Sequence, residues 1–303
     1  VSRATSTPRQ SALALIGLLT VAAVWGSSFP LTKQLLNRIS AVDFLAVRFV
    51  IAAVVMLLLF HRAVRALNRR TLRNGAILGA LYGVAQIVQT SGLAHTSASV
   101  SGFITGTYVV LTPVCGALLL KTRITPRWWF GAFLALIGLG VMALNGFALG
   151  YGEAITLGSA LLFALHIVGL SAWSTSREAL GLSVVQIVVC ALVCLVVAVP
   201  GGMALPSTGG DWLAIVYMAL ISGALAMIVQ SWAQAHLAAS RAAIIMSTEP
   251  VWAAAFAITF IGEPLTLRIG IGGLLMLIAM LVVELGPRDR QDPRPEDLPK
   301  LAA

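Results

Sequence analysis

Three features of the sequence predict an all-α integral membrane protein of ten transmembrane helices, built as two inverted five-helix repeats: its hydropathy, the placement of its basic residues and an internal repeat. Apolar residues make up 59% of the 303-residue chain and charged residues 10%, with a mean hydropathy of +0.95. A soluble domain is roughly half apolar and a quarter charged. Apolar stretches recur at residues 11–32, 41–60, 71–93, 100–120, 128–149, 153–173, 183–199, 211–234, 241–261 and 267–286. A helix needs about 20 residues to cross the hydrocarbon, so each stretch reads as one span. The linkers leave no room for a soluble domain, and the alternating segments of a β-barrel are absent. The first run is too long for the apolar core of a signal peptide and lacks a cleavage site, so it reads as the first helix.

Net charge is +9, but its distribution matters more than its sum. With the N-terminus placed inside, 16 of the 20 Lys and Arg residues fall on the cytoplasmic side, and only Lys33, Arg38, Arg48 and Arg268 fall outside. That bias orients the chain with both termini in the cytoplasm. The basic charge therefore calls for a lipid bilayer and for no nucleic acid. Cys115, Cys190 and Cys194 all lie inside predicted spans, without a CxxC pair, and read as small buried apolar residues.

Sliding the chain against itself by 141 residues sets "AQIVQTSGLAHTSAS" from Ala85 over "AMIVQSWAQAHLAAS" from Ala226, with eight of fifteen positions identical. Gly17 meets Gly158, Thr125 meets Thr266, and Gly131 meets Gly272 at the same offset. Polar matches in register are hard to obtain by chance in so apolar a chain. The repeats are residues 10–150 and 151–291, followed by a proline-rich, mixed-charge tail at 287–303 that is expected to be disordered. Five crossings per repeat force the second copy upside down relative to the first. Inverted repeats of this kind build secondary transporters, with the substrate near the midplane and alternating access as the motion.

The same inversion sends His95 and His236 to opposite faces, so they cannot share a metal. His61 reads as a loop residue among arginines, and only His166 lies within a span. No HExxH, GxSxG or paired-aspartate signature is present, and no cofactor motif. A membrane enzyme would lack a nucleophile, a base and a metal set. The expectation is a non-enzyme without metal or cofactor.

Polar residues inside the spans mark the candidate site. Tyr82, Gln86 and Gln89 share one helical face, with Gly75, Gly79 and Gly83 in the same sector. Helix packing accounts for the glycines, whereas three polar side chains on one stripe are costly in lipid and call for a water-filled cavity. Thr105, Tyr108 and Thr112 repeat the theme on the next span. Tyr108 pairs at offset 141 with Glu249, and Gln86 pairs with Met227, next to Gln230. Pro113 and Pro250 each withhold a proton from a carbonyl four residues earlier and are hinge candidates or passive kinks.

The stretch "VWGSSFPLTK" at residues 24–33 is oddly polar for a membrane helix. Pro30 cannot donate to the Gly26 carbonyl, so Gly26 and Pro30 are expected to give a kinked, hydratable segment. Lys33 then snorkels to the interface. Trp25 sits deeper than an interfacial belt, and its offset partner is His166. Trp25, His166 and Trp173 are thus expected along a pathway.

"VWGSSFPLTK", "TSASVSGFITGTYVVLTPVCGALLL" and "TEPVWAAAFAITFIGEPLT" resemble the signatures of EamA-type members of the drug/metabolite transporter superfamily, over essentially the whole chain. Within it, the chain is similar to bacterial inner-membrane exporters of aromatic and other neutral amino acids. The resemblance implies a ten-helix basket, a central cavity and outward transport of a small molecule. One departure is that Glu263 of "GEPLT" is answered by Thr122 in the first half, so any role for that acid applies to one repeat. Oligomeric state stays open, with a monomer as one option.

Substrate class is read from the charges in mid-membrane. Sugar phosphates and other anions need Arg or Lys in the cavity, and Lys33, Arg48 and Arg268 are all placed near the outer ends as snorkelling groups. Glu249 is then the only deep charge. It serves as a structural acceptor beside Pro250 or as a proton-coupling site for cationic drugs, the alternative reading. A cavity of Trp25, Tyr82, Gln86, Gln89, Tyr108 and His166, with Met227 and Gln230, otherwise suits small net-neutral amphiphiles such as neutral amino acids.

Overall fold

A computed structural model describes residues 8–120, 126–145, 148–237, 239–246 and 248–284. The tail expected at 287–303 and Thr122 lie outside the described residues. Thirteen helices follow one another among those described: α1 Pro8–Leu35, α2 Ala41–Arg65, α3 Arg69–Ala94, α4 Ala98–Gly106, α5 Tyr108–Leu120, α6 Pro126–Ala143, α7 Tyr151–Trp173, α8 Ala179–Ala198, α9 Gly209–Tyr217, α10 Ala226–Gln234, α11 Ala239–Met246, α12 Glu249–Ile261 and α13 Leu267–Glu284. A π-helical segment, Met218–Leu225, joins α9 to α10 without a break. The strand content among the described residues is a two-residue pairing, β1 Leu144–Asn145 with β2 Ala148–Leu149.

Seven helical runs among the described residues are long and apolar enough to cross a membrane. They include α4 with α5 as one run and α9, the π segment and α10 as another. The remaining expected spans correspond to α6 and α13, each 18 residues, and to α11 and α12, which are separated around residue 247. Polarity is inverted relative to a soluble protein. Leu58, Leu118, Val196, Leu213 and Phe260 are largely exposed, whereas Ser159, Ser183, Gln186, Ser231 and Gln234 are fully buried. Apolar residues that face outward need a lipid solvent.

Helix ends follow the local chemistry. Ser40, Asn68, Ser97 and Thr208 accept from the backbone N–H three residues on, as N-caps of α2, α3, α4 and α9. Gly262 stops α12 in the left-handed conformation, at φ 68°. His61, expected in a loop, lies instead in the last turns of α2, just past a kink at Phe60 (φ −125°, ψ 19°).

The sequence halves are interleaved, because α3 packs along α7 and α8 while α1 packs along α12 and α10. Two further pairs, α2 with α8 and α6 with α13, bring together helices from opposite halves. Glycine sets the closest of these approaches. A Cβ on Gly79 would sit 2.6 Å from the Gln186 carbonyl oxygen, and Gly75 and Gly83 face Val185 and Val193 of the same helix. Gly75, Gly79 and Gly83 therefore face α8, which leaves the adjacent face carrying Tyr82, Gln86 and Gln89 to the interior.

Candidate functional site

The polar faces converge on a cavity. Its lining comes from α1 (Trp25, Ser28, Phe29, Thr32), α2 (Arg48), α3 (Tyr82, Gln86, Gln89, Thr90, Leu93), α4 and α5 (Thr105, Tyr108), α7 (Phe163, His166, Ile167), the π segment (Ser222), α10 (Gln230), α11 (Met246) and α12 (Glu249). Of the residues expected to bind substrate, Trp25, Tyr82, Gln86, Gln89, Tyr108, His166 and Gln230 are brought together here, with Glu249. Met227 and Trp173 are not. Met227 is fully buried behind the lining, where its carbonyl accepts from Ser183 Oγ at 3.3 Å. Trp173 packs against Leu78, Leu170 and Leu182. The 141-residue offset puts Met227 opposite Gln86, but the π segment interrupts the second stretch just before it.

Each polar side chain has a defined setting. Tyr82 lies edge-on to Phe49 and Phe163, each at 6.0 Å between ring centres, and its ring is 5.2 Å from that of His166. His166 Nε2 donates to Gln186 Oε1 at 2.8 Å, which fixes the imidazole from behind. Gln89 donates to Thr105 Oγ1 at 3.1 Å. Gln230 Nε2 reaches Met246 Sδ at 3.8 Å, while its Oε1 is buried without a partner. Tyr108 donates to Glu249 Oε2 at 3.4 Å, across 141 residues, the interval at which the sequence repeats. Glu249 sits in the first turn of α12, where the helix dipole favours an acid.

The stretch 24–33 proves to be a set of joints. Trp25 Nε1 donates to the Ser222 carbonyl at 2.8 Å, Ser28 Oγ lies 2.7 Å from Ser222 Oγ, Ser27 Oγ lies 2.8 Å from the Tyr217 hydroxyl, and Thr32 donates to Met218 Sδ at 3.4 Å. Lys33 Nζ donates to the carbonyls of Leu93 and Ala94, at 2.9 and 3.1 Å, which closes the end of α3. Where a kinked, hydratable segment is expected from Gly26 and Pro30, the helix is uninterrupted. α1 runs on through Pro30, and Gly26 is buried against α12, so that an added Cβ would meet Trp252 Cβ at 2.5 Å and Ala253 N at 2.8 Å. Pro113 likewise lies inside α5, and the chain breaks instead at Thr107, six residues earlier. Pro250 lies in the first turn of α12.

Arg48 is the main correction. Expected to snorkel outward, it is 5% exposed and lines the cavity. Nε donates to the Met218 carbonyl and Nη2 to Ser222 Oγ, both at 3.2 Å, and the guanidinium lies 5.0 Å from the centre of the Phe49 ring. Arg48 is seven residues into α2, too deep to reach water easily, and a change from α- to π-winding leaves a carbonyl without its usual N–H donor. Ser222, Ser28 and Thr32 were not singled out from sequence either. Their signal was weak, since a lone serine in an apolar run is commonplace in packed membrane helices.

A lipid-facing helical fold around a cavity lined by rings, amides and hydroxyls defines the class: a multi-pass membrane protein with an internal cavity. The sequence comparisons narrow it. A model of the EamA-like transporter family matches residues 12–144 and again 150–285, and the chain belongs to that family. An uncharacterized transporter of Archaeoglobus fulgidus is 31% identical over 271 residues, covering 89% of this chain and 85% of the relative. The uncharacterized transporter YyaM of Bacillus subtilis is 24% identical over 282 residues, covering 88% and 92%. A crystal structure with 19% sequence identity shares the fold at a TM-score of 0.67, covering 94% of this chain and 98% of that one. Membrane transport is thus the activity of the family.

Proposed function

We propose that the protein is a secondary transporter that moves small, net-neutral amphiphiles by alternating access, exporting neutral amino acids, aromatic ones included, across a bacterial inner membrane. It does so as ten spans in two inverted repeats with both termini cytoplasmic. The observation that carries the substrate class is the make-up of the cavity: rings and amides, one acid in Glu249 and one base in Arg48. A net-neutral solute that carries both signs is accommodated, whereas a sugar phosphate brings its charge to Glu249 as well as to Arg48.

The second reading, a proton-coupled exporter of cationic drugs, is favoured by Glu249, a carboxyl 5% exposed on the cavity wall beside Tyr108. Arg48 weighs against it, because a buried cation in the same cavity repels a lipophilic cation. Flux in proteoliposomes decides between the two. Tryptophan or phenylalanine should compete for efflux and a sugar phosphate should not, and Tyr82→Ala and Gln86→Ala should each weaken transport. Competition by lipophilic cations without competition by amino acids would replace the first reading with the second.

A further inference from the structure

We infer that Arg48 is the residue that binds the carboxylate of the substrate, with the π-helical segment as its backing. The inference rests on the amino-acid reading above and names the group that reads the amino acid's acidic end.

Arg48 is 5% exposed, yet among the described residues it has no acidic partner, and the ion pair found there, Arg38 with Asp211, lies elsewhere. A buried cation without an anion is unfavourable, because neutral acceptors do not replace its lost hydration. Its partners are neutral: the Met218 carbonyl, Ser222 Oγ and the faces of Phe44 and Phe49. The two hydrogen bonds use the Nε and Nη2 side of the guanidinium, and among the described residues Nη1 has no hydrogen-bond partner. One edge of the planar fork is fastened to the π segment, and the fork's remaining donors belong to a side chain that lines the cavity. A guanidinium held in this way is preorganised for the two oxygens of a carboxylate. The role also separates an amino acid from its amine or amide, which the aromatic lining alone cannot do, since indole and phenyl rings are common to all three.

The experiment compares tryptophan, tryptophanamide and tryptamine as competitors for labelled phenylalanine, in proteoliposomes holding the full chain. The wild type should prefer tryptophan to either analogue by about tenfold or more. Arg48→Gln should lose tryptophan competition by about the same factor without weakening tryptamine, and Arg48→Lys should restore part of the preference. A wild type that treats tryptophan and tryptophanamide alike overturns the role of Arg48 without recourse to any variant, and so does an Arg48→Gln protein that keeps the preference. A wild type that transports neither phenylalanine nor tryptophan overturns the amino-acid reading itself, and this role falls with it.

Discussion

Gly26 and Arg48 carry the two lessons that single residues offer. Gly26 lets α1 lie directly on the first turns of α12, and an added methyl would overlap Trp252 Cβ and the Ala253 backbone nitrogen. Backbone cannot move aside as a flexible side chain can. Gly26→Ala should therefore cost about 1–3 kcal/mol, read as a lower thermal midpoint of the purified protein in detergent. Gly158 has only Val88 Cγ1 at 3.9 Å, so Gly158→Ala in the same assay should change little. The contrast between Tyr82 and Arg48 shows what sequence could reveal at this scale. Tyr82, Gln86 and Gln89 were legible because polar groups on one stripe of an apolar helix need an interior. Arg48 was not, because a single arginine near a span end is ordinarily pulled toward the interface. Its true position depends on two acceptors, Met218 O and Ser222 Oγ, about 170 residues away.

Among the elements, the π segment does the most to shape the site. Its carbonyls at 218 and 222 accept from Arg48 and Trp25, and its Ser222 hydroxyl meets Ser28. Wider winding of this kind arises from one surplus residue in an α-helix. Deleting Ala219 should return the stretch to α-helical winding and turn Ser222 by roughly a quarter turn or more. Transport should then fall by about tenfold or more, while helical circular dichroism stays near wild type. Nothing in "MALISGAL" announces the π winding, since the hydropathy of an α-helix and of a π-helix is the same. The capping glutamate was similarly opaque. Glu263 accepts from Ala98 N at 2.7 Å, from Ser99 N at 3.1 Å and from Ser99 Oγ at 2.6 Å, and so closes the start of α4 from a loop 165 residues on. Glu263→Gln keeps the shape but removes the charge from a helix N-terminus. It should cost about 1 kcal/mol of stability, checked by the same thermal midpoint.

At the scale of the whole molecule, the orientation expected from the basic residues can be tested with little background, since Cys115, Cys190 and Cys194 are free and buried. Arg65→Cys, exposed at the end of α2, should react with a membrane-impermeant maleimide in inverted vesicles and stay silent in intact cells. Leu205→Cys, exposed between α8 and α9, should do the opposite. Labelling of both from one side would end the ten-span topology. The Tyr108–Glu249 contact has a consequence of a different kind. Two stretches matched by one family model meet there, 141 residues apart. In a symmetric dimer of half-length chains, any residue that touches its own image must be chemically self-compatible, so an acid there would face a second acid at close range. A continuous chain is free of that constraint. It can set a phenol opposite a carboxyl, donor against acceptor, and make the middle of the molecule polar without making it repel itself.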